Sequence, residues 1–187
     1  MSVIRAFIAI PLEVEIRDRI RDVQTTLRNS GGDVRWDDPA KMHITLRFIG
    51  DMDESRIDEL SLAVESASIE TPPFDIVYSG VGAFPSKRNP RVLWVGTEPQ
   101  PQLMILQRRI EYACRTLGFA PDQKAFHPHI TLGRVKHTRD LGGLIAATNS
   151  ATFDAISAVC DRVHLMRSIL RPDGSQYSVL ATVHLHS

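Results

Sequence analysis

Two similar lobes of strand and helix, related by a pseudo-two-fold axis and facing a common cleft, are the fold this sequence predicts. Three observations carry that expectation. The tetrapeptide His-Ile-Thr-Leu occurs at 43–46 and again at 129–132, an offset of 86 residues. The apolar runs that come before each copy share the offset, since Phe7 and Leu93 are also 86 apart. A helical stripe ending on glycine leads into each copy.

Arg5 to Ile10 reads as a short apolar strand, closed by Pro11. Ile16, Ile20, Val23 and Leu27 then fall at the spacing of one helix face. Asn29-Ser30-Gly31-Gly32 ends that helix, glycine suiting a left-handed cap. The first His-Ile-Thr-Leu strand comes next. Asp53 is placed to N-cap a helix carrying Ile57, Leu60, Val64 and Ala67. A strand over Phe74 to Val81 completes the unit. The second unit opens with a strand at Arg91 to Val95. Its helix carries Leu103, Leu106, Ile110, Ala113, Cys114 and Leu117, and Gly118 ends it. After the second motif strand come a shorter helix near Leu141 to Ala147 and strands near Val159 to Ile169 and Gln176 to His186. The expected organisation is one domain over 1–187, with halves of roughly 1–85 and 86–187. Four of the eleven prolines lie between Pro85 and Pro101, where the halves join.

The 187 residues are 43% hydrophobic and 24% charged, the balance of a globular protein and not of a disordered chain. Twenty-two basic residues match twenty-two acidic ones. A protein that coats nucleic acid without sequence preference is clearly basic, so that class is disfavoured; recognition of one end or one nucleotide needs only local charge. The apolar run Ala6 to Ile10 is too short for a membrane span or a signal segment. A cytoplasmic protein with no membrane association is expected. Cys114 and Cys160 form no disulfide framework and no CxxC, and both sit in apolar patterns, so they read as reduced core residues.

Side chains alternate along a strand, so His43 and Thr45 share one face while Ile44 and Leu46 take the other. His129 and Thr131 repeat this against Ile130 and Leu132. Two copies aimed into one cleft supply two imidazoles and two hydroxyls. Imidazole serves as acid or base near neutral pH, and a threonine hydroxyl donates to a phosphate oxygen. The inventory suits phosphodiester hydrolysis, one histidine taking a proton from water and the other giving one to the leaving oxygen. It requires no cofactor and no metal. It suits acyl transfer poorly, because neither threonine has a triad context.

Arg134 lies just beyond the second motif and is a candidate phosphate ligand. Strict alternation sets it on the face opposite His129, and a bulge at Gly133 would turn it into the cleft. Ser86-Lys87-Arg88-Asn89-Pro90-Arg91 reads as a basic loop, free to contact phosphates or simply solvated. His127 and His129 alone do not make a zinc site, which takes three or four ligands. His184 and His186 are expected to be exposed, and His137 and His164 have no identifiable partner. Phe48, Phe84, Trp94 and Phe126 could each stack on a base but are expected in the core.

The phrases His43-Ile-Thr-Leu-Arg-Phe-Ile-Gly50 and Pro128-His-Ile-Thr-Leu-Gly-Arg134 resemble the paired HxTx motifs of the two-histidine (2H) phosphoesterase superfamily. Arg5-Ala-Phe-Ile-Ala-Ile-Pro11 and Phe84-Pro-Ser with Pro90-Arg-Val-Leu-Trp-Val-Gly96 are similar to its RNA 2′,3′-cyclic phosphodiesterases, also called 2′-5′ RNA ligases. The resemblance spans nearly the whole chain. It implies a bilobal α+β fold: a pseudo-two-fold pair of mainly antiparallel sheets with outer helices and the active-site cleft between lobes. It implies hydrolysis of RNA or nucleotide 2′,3′-cyclic phosphate ends to a 2′-phosphate, without cofactor or metal. On that implication His43 protonates the leaving 3′ oxygen, His129 activates water, and Thr45 and Thr131 hold phosphate oxygens. The residues alone do not assign acid and base. A monomer is expected. Two other readings compete. RNA 2′-5′ ligation is the reverse reaction in the same site. A non-catalytic binder of RNA ends would need hydroxyls and arginines, but not two histidines.

Overall fold

The computed structural model describes residues 2–171 and 174–186. Among the described residues nine strands and four α-helices succeed one another. The strands are β1 (Val3–Pro11), β2 (Val34–Trp36), β3 (His43–Asp53), β4 (Phe74–Ser86), β5 (Asn89–Thr97), β6 (His129–Val135), β7 (Ile156–Cys160), β8 (Arg162–Ile169) and β9 (Gln176–His184). The helices are α1 (Val14–Arg28), α2 (Ile57–Ser68), α3 (Pro101–Thr116) and α4 (Gly142–Ser150).

All strand pairings are antiparallel, in the order β7-β4-β5-β6-β3-β1-β8-β9, with β2 also pairing with β6. The two expected sheets are therefore halves of one. They meet where β3 pairs with β6 at Ile44 and Ile130. The repeat runs symmetrically outward from this junction, β1 answering β5 and β8 answering β4. The lobes are not the two halves of the sequence. β4, from the first unit, lies beside β5, and β8, from the second, lies beside β1. Helices exchange in the same sense: α1 packs with α4, and α3 packs with α2 and β3.

Burial explains the elements. β1 is an internal strand, and Ala6 through Ile10 are buried without alternation, as a strand covered on both faces requires. α1 turns Ile16, Ile20 and Leu27 inward and α3 turns Leu103, Leu106 and Ile110; all six are fully buried. Cys114 and Cys160 are buried too, and desolvation pushes their thiols up to about 11 and about 12. No helix among the described residues is long and apolar enough to cross a membrane.

Four details differ from the sequence reading. The strand expected over Val159 to Ile169 is two, β7 and β8. The chain crosses from one half-sheet to the other at Asp161, whose carbonyl accepts a hydrogen bond from the Leu185 amide at 2.7 Å. Only the charged pair Asp161-Arg162 breaks the apolar pattern at the crossing, and no glycine or proline marks it. The basic loop is a two-residue hairpin turn, because Ser86 pairs with Asn89 and both flanking strands run longer than expected. Asp53 caps a 3-10 turn (Glu54–Arg56) through the Ser55 amide, at 2.9 Å, and α2 starts only at Ile57. β2, three residues long, has no counterpart in the sequence reading.

Both motif strands carry a bulge at the last residue of the motif. Ile8 pairs with Arg47 but Ala9 with Thr45, leaving Leu46 as the extra residue. Leu93 pairs with Gly133 but Trp94 with Thr131, leaving Leu132. At the second bulge β2 lies flush on the strand. A Cβ added to Gly133 would come within 2.9 Å of the Arg35 carbonyl oxygen and 2.9 Å of Val34 Cγ1. Gly133→Ala is expected to lower unfolding stability by about 1–3 kcal/mol, the usual cost of overpacking, measured by urea denaturation.

Candidate active site

The junction of the half-sheets places the motif residues. Ile44 and Ile130 are fully buried, so their neighbours point to the opposite face. In antiparallel register His43 then lies across from Thr131 and Thr45 across from His129. The two imidazoles are diagonal neighbours across the strand pair, and the charge of His129 acts on His43. All four residues line one cleft of about 1110 Å³, together with Arg134.

The rings are held in matching ways. His43 Nδ1 lies 2.9 Å from the Lys41 carbonyl oxygen, and His129 Nδ1 lies 2.6 Å from that of His127. A carbonyl only accepts, so each Nδ1 carries the proton and donates. Each Nε2 is left as the titrating atom: a bare base when the ring is neutral, an N–H acid when it is protonated. Lys41 and His127 are themselves 86 apart. Aromatic rings pack against both imidazoles. Phe7 and Tyr177 lie 4.8 and 5.4 Å from His43, centroid to centroid, and Phe84 lies 4.9 Å from His129.

Burial pushes both imidazoles below their ordinary pKa. The carbonyl hydrogen bonds oppose this, and neighbouring positive charge adds to it: His129 and Arg134 for His43, His127 and Arg134 for His129. Asp37, on the cleft wall, is shifted the other way. Desolvation raises its carboxyl, against the pull of Arg134, Arg35 and Lys41.

The bulges decide which side chains the cleft receives beyond each motif. Leu132 and Gly133 are both turned inward, which returns Arg134 to the cleft face despite strict alternation. The first bulge buries Leu46 and Arg47 together and returns Phe48. Phe48 is 58% exposed in the cleft, so its expected place in the core is corrected. The cause is the bulge, which no alternation pattern reveals. Phe84 and Phe126 are half-buried and line the cleft. Trp94 is also half-buried, with its ring 5.6 Å from His127. A buried glutamine fixes the second bulge: Gln24 Nε2, from α1, donates to the carbonyls of Leu132 at 2.9 Å and Asp37 at 2.7 Å. Gln107 Nε2, from α3, reaches the Leu46 carbonyl at 3.5 Å.

Of the other basic and histidine candidates, His127 lines the cleft. Lys87, Arg88 and Arg91 do not line the cleft. His137 does have a neighbour, lying 3.5 Å from Asp33 on the surface. Among the described residues no three His, Cys, Asp or Glu side chains gather as a metal site. Sequence reasoning missed Phe7, Asp37 and Tyr177. Phe7 looks like any apolar strand residue, and the other two carry no periodic signal.

A family model described as LigT like phosphoesterase matches this chain twice, over residues 10–94 and 95–177. The RNA 2′,3′-cyclic phosphodiesterase of Methanothermobacter thermautotrophicus is 32% identical over 97% of this chain and 99% of its own. That of Thermotoga maritima is 33% identical over 94% and 92%. Among solved structures, TT0787 of Thermus thermophilus superimposes with a TM-score of 0.80 at 25% identity, covering 97% of each chain. E. coli LigT in apo form gives 0.76 at 25% identity over the whole of both chains.

The lowered imidazoles have a consequence for stability. The unfolded chain binds protons more tightly than the folded one, so stability is full above the unfolded pKa of 6.5 and falls as pH drops through it toward the folded values. His43→Gln or His129→Gln should each flatten this fall, measured as urea midpoints on the two sides of pH 6.5. Some slope should persist, because His164 is lowered by burial as well.

Proposed function

The chain belongs to the LigT-like phosphoesterase family, and we propose that it is an RNA 2′,3′-cyclic phosphodiesterase that opens a terminal cyclic phosphate to a 2′-phosphomonoester. The observation that carries this reading is the pair of imidazoles with Nδ1 pinned to main-chain carbonyls across one cleft. In the proposed chemistry the cyclic phosphate sits between them. His129 Nε2 takes a proton from water as the oxygen attacks phosphorus. His43 Nε2 gives a proton to the departing 3′ oxygen, and the ring opens with phosphate left on the 2′ oxygen. Thr45 and Thr131 donate to the non-bridging oxygens, and the Arg134 guanidinium stabilises the charge that grows on them. No step in this scheme calls on a metal. Phe48, exposed beside the His43 half of the site, offers a face on which the terminal base stacks. The setting we propose is a cytoplasmic monomer, with 1–187 acting as one catalytic unit, because residues of both halves line a single cleft.

The direct test is incubation with RNA ending in a 2′,3′-cyclic phosphate, the product compared with 2′- and 3′-phosphate standards. A 2′-phosphate supports the reading. A 3′-phosphate would reverse the placement of the substrate, and binding without turnover would leave only an RNA-end binder.

His43→Ala and His129→Ala should each slow turnover by about 10²–10⁴-fold, the usual contribution of a general acid or base. Thr45→Ala and Thr131→Ala should cost less, since each removes a hydrogen bond and not a proton carrier. The double histidine variant should lose less than the product of the single losses.

The pH profile derives from the burial of both rings. Activity rises as the base loses its proton and falls as the acid loses its own. Both values lie below 6.5, so kcat/KM should be a bell centred on the acid side of 6.5, its limbs belonging to the coupled pair. A bound phosphate anion favours imidazolium, so the kcat profile should lie at higher pH than that of kcat/KM. Coincident profiles centred above pH 7 would contradict this assignment.

A further inference from the structure

The 86-residue repeat breaks at one place that shapes the cleft. One rim is β2, laddered onto β6 through Val34 with Val135 and Trp36 with Gly133. The corresponding positions, 120–122, form no strand. From Phe119 to Pro128 the chain has neither helix nor strand, yet Ala120 through His127 line the opposite wall.

Side chains hold that wall where a ladder would otherwise be. Arg47 occupies the repeat position of Gly133 and is 4% exposed. Its Nη2 donates to the Ala120 carbonyl and its Nη1 to the Phe48 carbonyl. Its Nε meets Glu111 Oε2 as an ion pair. The other carboxylate oxygen of Glu111 accepts the Asp122 amide at 3.2 Å. The ion pair thus takes one carbonyl and one amide of the wall, at the positions equivalent to Val34 and Trp36. Glycine at 133 lets a strand dock against the bulge; arginine at 47 reaches across to a segment that is not a strand. An arginine beside a phosphodiester cleft would ordinarily read as a phosphate ligand. Here both Nη nitrogens are committed to main-chain carbonyls, and Nε faces the Glu111 carboxylate as a charge contact without hydrogen-bond geometry.

We propose that the Arg47–Glu111 pair is a positioning device that sets the 120–127 wall and the Phe48 backbone, and so governs how tightly the RNA end is held rather than the proton transfers. The kinetic consequence rests on the cyclic phosphodiesterase reading; the structural one does not. The two are separated by measuring KM and kcat on a cyclic-phosphate RNA alongside deuterium exchange of the wall amides. Arg47→Met leaves Glu111 unpaired and should lower Tm, speed exchange across 120–127 while sparing β1, and raise KM about tenfold with a much smaller change in kcat. Arg47→Met with Glu111→Leu replaces the buried pair by apolar side chains and should recover much of the Tm, leaving KM high and the wall exchanging fast. Recovery of KM together with Tm would reduce the pair to a stability element and overturn the proposal. So would unchanged exchange at 120–127, or a fall in kcat at constant KM. A wild-type protein inactive on the RNA would sink the functional reading, while faster wall exchange in the variants would still support the device.

Discussion

Ile44 pairs with Ile130 where the two half-sheets meet, and the cleft is built outward from that contact. Both side chains are fully buried, which commits the residues on either side of each to the other face. Two histidines and two threonines are thereby set on adjacent strands, lining one cleft. Burying two isoleucines stabilises by about 3–6 kcal/mol at the usual per-residue value, and a one-residue slip in either strand would turn its histidine into the core. The same apolar contact that closes the sheet fixes the relative placement of the two imidazoles.

A symmetric frame does not produce a symmetric site. Each motif strand bulges at the same repeat position, but the residue delivered to the cleft differs: Phe48 on one side and Arg134 on the other. His43 sits between Phe7 and Tyr177, whereas Arg134 lies across the strand pair from Arg35. Aromatic rings flank both imidazoles, since Phe84 packs on His129, but the residue that each bulge adds to the cleft is aromatic on one side and cationic on the other. The walls differ as well, one a backbone ladder and the other an ion pair. These departures from the repeat give two equal histidines unequal surroundings.

Much of this was legible in the sequence, and its limits have physical causes. The offset of 86 residues and the helical stripes located the motif strands and three of the four helices closely, because period and composition encode burial. The exchange of β4 and β8 between lobes was not legible, since strand pairing leaves no local signal. Nor was the crossing at Asp161, which no glycine or proline marks. Phe48 was expected in the core because alternation assumes a regular strand. Arg134 was placed by allowing for a bulge at Gly133, and the bulge lies at Leu132 and Gly133. Arg47 reads as a charged residue in an apolar strand, and only its buried partners give it meaning.

In the proposed scheme the two pinned imidazoles divide into an acid at His43 and a base at His129. A nucleoside 2′-phosphodiester carrying an aryl leaving group tests this division most directly, because an aryloxide departs without a proton. On this substrate His43→Ala should act within about tenfold of the wild type while His129→Ala stays deeply impaired, although both are slow on the cyclic phosphate. Equal impairment of the two variants on the aryl ester, or rescue of His129→Ala instead, would contradict the division of roles.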